Sequence, residues 1–104
     1  MLSQKDILSL IKERVLTVTP DAKVLLFGSR ATGNTHAESD WDILILTQKK
    51  YPKSAKWLIH DKIFPISISN ATFFNILLVQ EHEWNFNAAY YALKMSIGKN
   101  LVAA

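Results

Sequence analysis

Asp40 and Asp42 are separated by one residue and followed by the apolar run Ile43-Leu44-Ile45-Leu46. Side chains alternate on a strand, so acids two apart point the same way, with Cα atoms roughly 6.5–7 Å apart. Hard divalent cations such as magnesium take oxygen ligands, commonly one or two carboxylates completed by water and phosphate. Two such ions about 3.5–4 Å apart clamp a phosphoryl displacement. Trp41, between the acids, falls on the opposite face with Ile43 and Ile45, a core pattern. By itself an Asp-x-Asp pair fits a polar strand edge equally well. Upstream, an apolar run over 24–27 stops at Gly28-Ser29. Glycine permits positive φ and close approach of a ligand, and Ser29 can cap a helical turn over 30–32 with its free amides turned outward. Such amides attract phosphate, Ser29 Oγ adds a hydrogen bond, and Arg30 adds charge. An ordinary capped strand-to-helix turn has the same letters. The spacer from Ser29 to Asp40 is long enough for one short helix and a return loop, so turn and acids can face one spot.

Together, Leu26-Phe27-Gly28-Ser29-Arg30-Ala31-Thr32-Gly33 and Ser39-Asp40-Trp41-Asp42-Ile43-Leu44 resemble the signature of the minimal nucleotidyltransferases, small relatives of the polymerase beta nucleotidyltransferase superfamily. The pattern Gly-Ser-x-Ala-x-Gly, then Ser-Asp-x-Asp-hydrophobic, is matched without a gap over residues 24–46. The resemblance implies transfer of a nucleoside monophosphate, AMP by default, from ATP or another nucleoside triphosphate. It places Gly28, Ser29 and Arg30 on the nucleotide, and Asp40 and Asp42 on Mg2+ or Mn2+ as the catalytic, metal-holding acids. It also implies a protein partner of HEPN type, in a toxin–antitoxin pair, or a homodimer. Active members usually bring a third carboxylate from the next strand. Here the expected third strand offers Ser67 and Ser69 instead, and a neutral hydroxyl is a poor substitute on a divalent ion. Asp61, Glu81 and Glu83 are the other acids considered, and each is expected on the surface.

The elements that must hold these residues follow from patterning. Residues 3–18 form a helix, capped by Ser3, with Ile7, Leu8, Leu10, Ile11, Val15 and Val18 on one stripe. Pro20 and Asp21 turn the chain into a strand over 23–27. Pro52 opens a short helix through His60. The alternation of Phe64, Ile66 and Ile68 with Pro65, Ser67 and Ser69 predicts a third strand over 63–69, at an edge because of Pro65. Asn70-Ala71 then turns into a fourth strand over 73–79, paired back as a hairpin. A closing helix over 87–97 ends at Gly98. The expected fold is α/β (α+β): one nucleotidyltransferase domain over 1–104, a small mixed sheet of about four strands packed with helices.

Composition bounds the rest. The chain has 104 residues, 49% hydrophobic and 20% charged, which suits one globular domain rather than a disordered chain. It has no cysteine, which removes disulfide frameworks and thiolate metal sites. No uninterrupted apolar run of about 18 residues is present. A soluble cytoplasmic protein without membrane contact is expected. The net charge is +3, with Lys49, Lys50, Lys53, Lys56 and Lys62 grouped after the second strand. These read as a solvated face, or as a docking patch for RNA or an acidic partner. His36 lies in the loop before the acids, and His60 and His82 share no ligand spacing; none is assigned a role. The Walker spacing fails because Asn34 stands where lysine is required. The rival to an enzyme is a catalytically weakened or inactive module of the same fold that binds protein or RNA.

Overall fold

The computed structural model describes residues 2–28, 40–98 and 100–104. Ser3 opens helix α1 (Gln4–Val18), its hydroxyl accepting a hydrogen bond from the Asp6 amide at 3.2 Å. Ile7, Leu8, Ile11 and Val15 repeat at helical spacing and are buried. Thr19 ends the helix, its amide and its hydroxyl both donating to the Val15 carbonyl.

Strand β1 (Lys23–Phe27) follows, then β2 (Trp41–Thr47), antiparallel to it with Phe27 opposite Asp42. Helix α2 (Lys53–Ser69) crosses to β3 (Phe74–Gln80), which runs parallel to β2. A parallel neighbour requires such a crossover, whereas a hairpin joins antiparallel strands. Short helices α3 (Glu81–Phe86) and α4 (Tyr91–Ile97) come next, and β4 (Val102–Ala103) pairs antiparallel with β1. The mixed sheet has the order β3-β2-β1-β4.

Both faces of β2 are covered, and Ile43, Leu44 and Ile45 are all fully buried. On one face Trp41, Ile43 and Ile45 join Val24, Leu26 and Ile76 under α1 and α2. Trp41 meets Phe74 edge to face at 6.0 Å between ring centroids. On the other face Leu44, Leu46 and Val79 pack with Trp84 of α3 and Ile97 of α4. Truncating one of the fully buried isoleucines to alanine would cost about 2–5 kcal/mol. No helix among the described residues is long and apolar enough to cross a membrane.

The segment over 63–69 is not a strand. It is the second half of α2, and a helical repeat that shares only Ile66 with the alternating set settles its conformation. Ala55, Ile59, Ile63 and Ile66, spaced by four, four and three, are the buried positions, and the three isoleucines pack in one cluster with Ile7, Leu8, Ile11 and Val15 of α1. Phe64 and Ile68, whose alternation with Ile66 suggested a strand, are 61% and 66% exposed. Pro65 lies inside the helix on its exposed side; it removes one backbone donor there, and burial of the isoleucines outweighs that loss. The strand at 73–79 therefore has no hairpin mate before it and adds to β2 instead. The closing helix begins later than expected, as a 3-10 turn over Ala88–Tyr90 leading into α4, and Gly98 ends it at φ +60°.

Candidate active site

On a strand the residues two apart share a face, so Asp42 continues the row of Leu44 and Leu46 past the edge of the apolar cluster beneath α3 and α4. Asp40 lies one residue before β2, and Asp42 is partly exposed. The parallel register places Asn75 of β3 directly beside Asp42. Asn75 Nδ2 donates to Asp40 Oδ2 at 3.3 Å and to Asp42 Oδ1 at 3.2 Å, so one amide bridges both acids. A backbone bond from the Trp41 amide to the Phe73 carbonyl, 2.9 Å long, pins the two strands at this point.

Gly28 comes in from the other side. Its φ is +77°, a conformation that L side chains rarely adopt, and a Cβ on it would overlap Asp42 Oδ2 and lie 3.2 Å from Asp42 Cγ. Glycine is favoured there by backbone conformation, and any side chain would also displace the Asp42 carboxylate. Gly28, Asp40 and Asp42 are brought together. The expectations for Ser29, Arg30 and His36 fall outside the described residues.

The hydroxyls expected at the place of the third carboxylate are elsewhere. Ser67 and Ser69 are on α2, where the Ser67 hydroxyl donates to the Thr72 carbonyl. Asp61 is exposed on α2. Glu81 pairs with Lys23 at 3.0 Å beyond the far end of β3, and Glu83 is exposed on α3. The residue beside the acids that sequence reasoning missed is Asn75. Its signal was present: it is the lone polar residue in the run Phe73-Phe74-Asn75-Ile76-Leu77-Leu78-Val79. Among the described residues no three of His, Cys, Asp and Glu cluster as metal ligands. Two carboxylates on one face, bridged by the Asn75 amide, fit a single hard cation completed by water and phosphate oxygens.

His60 and His82 stay apart from the acids. His60, on α2 near Trp57, has its pKa lowered by burial and by Lys56, with Asp61 opposing. His82 rests against Phe86. The lysine cluster lies past the far end of β2, where Lys50, Lys53 and Lys56 line an open cavity of about 710 Å3 with Trp57 and Tyr90. That cavity is separated from Asp42 by the length of the strand, so its size gives it no part in the chemistry of the acids.

Against known families, a model described as a nucleotidyltransferase domain matches residues 6–94. The chain belongs to the nucleotidyltransferase domain family. Protein adenylyltransferase MntA of Aphanizomenon flos-aquae is 58% identical over 40 residues, a match covering 36% of this chain and 27% of that protein. Among solved structures, a putative nucleotidyltransferase from Sulfolobus solfataricus has a TM-score of 0.59 at 24% identity, covering 96% of this chain and 80% of that one. A complex of a tri-AMPylated Shewanella oneidensis HEPN toxin with its MNT antitoxin gives 0.62 at 15% identity, covering 97% and 71%. A toxin–antitoxin structure with AMP-PNP gives 0.54 at 21%, covering 68% and 56%. The matched residues thus span about a quarter of the MntA chain and just over half of the last. At these identities the structural likenesses establish the fold.

Proposed function

We propose that this nucleotidyltransferase domain, spanning 1–104 as one unit, transfers AMP from ATP to an acceptor hydroxyl in the cytoplasm. The observation that carries this reading is the convergence of Gly28 and the Asp40–Asp42 pair on one face of the sheet. The 58% identity to an adenylyltransferase over 40 residues supports AMP as the group moved.

Asp40 and Asp42 would hold a divalent cation, Mg2+ or Mn2+. When bound, that ion neutralises the triphosphate and the departing pyrophosphate. Gly28 leaves room for the phosphates to come against the backbone, and the Ser29 amide and hydroxyl, with Arg30, would orient the β and γ phosphates. The acceptor oxygen forms a bond to the α phosphorus as the bond to the bridging oxygen breaks; pyrophosphate leaves and the acceptor proton passes to solvent. The acceptor is proposed to be a side chain of a HEPN-type partner, since the Shewanella neighbour is an MNT antitoxin bound to an AMPylated HEPN toxin. The outer face of α2, with Trp57, Phe64 and Ile68 all more than half exposed, offers apolar surface to such a partner.

Calorimetry with ATP and Mg2+ tests the reading: the wild type binds, and Asp42→Ala loses the metal-dependent affinity. Equal binding by both, or binding by neither, would refute it. An amide rather than a third acid beside Asp42 favours one rival, a catalytically weakened or inactive module of the same fold that binds a partner. Pyrophosphate release with the partner present separates the two, since only the transferase produces it.

A further inference from the structure

We infer that Asn75 makes this a one-ion site: its amide occupies the place beside Asp42 where a third acid would complete a pair of ions, and it engages one oxygen of each aspartate, leaving Asp42 Oδ2 and Asp40 Oδ1 to a cation. The inference rests on the proposed function, and it follows from which atoms are already engaged.

Asn75 Nδ2 takes Asp40 Oδ2 and Asp42 Oδ1, the oxygens on the β3 side. Asp42 Oδ2 is turned instead toward Gly28, against the Cα of the residue that leads into the proposed phosphate turn. A cation seated on Asp42 Oδ2 would therefore lie on the Gly28 side, with Asp40 Oδ1 the other oxygen that Asn75 does not engage. The position on the β3 side, between the acids and the neighbouring strand, is filled by a neutral donor, and an N–H group repels a cation rather than ligating it. Charge points the same way. Two divalent ions about 4 Å apart repel with four times the energy of two unit charges, and an Asp pair supplies only two negative charges against four positive ones. No further acid among the described residues lies within reach to make up the difference.

Asn75 is thus a positioning residue: it holds the two carboxylates at a fixed separation for one ion and withholds the ligand for another. Aspartate has nearly the same shape, so Asn75→Asp replaces the donor by an acceptor with a charge and opens the second position without repacking.

The test is a Mn2+ titration of the full chain, followed by loss of the free-ion signal in electron paramagnetic resonance and by calorimetry. The wild type is expected to saturate at one Mn2+ per chain with the spectrum of an isolated ion. Asn75→Asp is expected to bind two, with the broadening produced by ions about 4 Å apart. Two coupled ions in the wild type would overturn the inference, and so would a single ion in a folded Asn75→Asp. The wild-type count decides alone if that variant does not fold. Failure of the underlying reading gives a different result: wild type and Asp42→Ala would bind Mn2+ equally, or neither would bind it.

Discussion

The two ends of β2 both carry aspartates, and they treat them in opposite ways. At its start, Asp40 and Asp42 share one neutral amide from Asn75, Asp40 exposed and Asp42 partly so. Beyond its end, Asp21 Oδ2 accepts from the Gln48 and Lys49 amides at 2.7 and 2.8 Å, and Oδ1 accepts from the Tyr51 hydroxyl. Burial would raise the pKa of Asp21, but the Tyr51 hydroxyl and these amides prevail and lower it from 3.8 to about 2. The same contact raises the pKa of Tyr51. A carboxylate whose oxygens are all engaged by its own chain is a structural clasp. One that keeps lone pairs free beside another acid is poised for a ligand.

The comparison is broken most severely at Gly28. Gly28→Ala forces a side chain into a left-handed backbone and into Asp42 Oδ2; affinity for ATP with Mg2+, measured by calorimetry, should fall on the order of a hundredfold, a loss near 3 kcal/mol of binding. Next is Asp21→Ala, which removes three hydrogen bonds to a charged group and should cost about 2 kcal/mol of folding stability in urea, while nucleotide affinity holds. Asp42→Asn should do the reverse: relief of repulsion with Asp40 leaves stability unchanged or raised by up to about 0.5 kcal/mol, and the effect of Mg2+ on ATP binding disappears. If both substitutions destabilise alike, the distinction between the two ends is wrong.

Acid sharpens the contrast. The folded pKa of Asp21 is depressed, so its stabilisation is fully present above its unfolded value of 3.8 and is lost as pH falls toward about 2. Stability measured between pH 5 and pH 2 should decline in the wild type more than in Asp21→Asn, which lacks this proton linkage. The smallest change is expected at Lys23, whose 3.0 Å ion pair with Glu81 has a lysine side chain 61% exposed. Lys23→Ala should shift stability by less than about 1 kcal/mol, and less still at high salt.

Local chemistry made much of this fold legible. The Ser3 cap, the buried stripe of α1, the bounds of β1 and the opposed faces of Trp41 and Asp42 follow from periods that act within a few residues. Residues 63–69 were misjudged because two periods are superimposed there. Phe64, Ile66 and Ile68 alternate as in a strand, while Ala55, Ile59, Ile63 and Ile66 repeat as in a helix, and only docking on α1 decides between them. Once that segment is helix, the neighbour of β2 changes from a serine-bearing strand to β3. The place of Asn75 was illegible for the same reason: it depends on a parallel register set across a seventeen-residue crossover helix. β4, two residues long, is too short to show any period.

The backbone rung from Trp41 to Phe73 closes one residue before Asp42 meets Asn75. Folding itself therefore assembles acids and amide, and the cation proposed above would find these side chains already in place. Its capture should be paced by the shedding of its hydration shell rather than by any movement of the chain. Magnesium, which dehydrates reluctantly, should for that reason load more slowly than manganese.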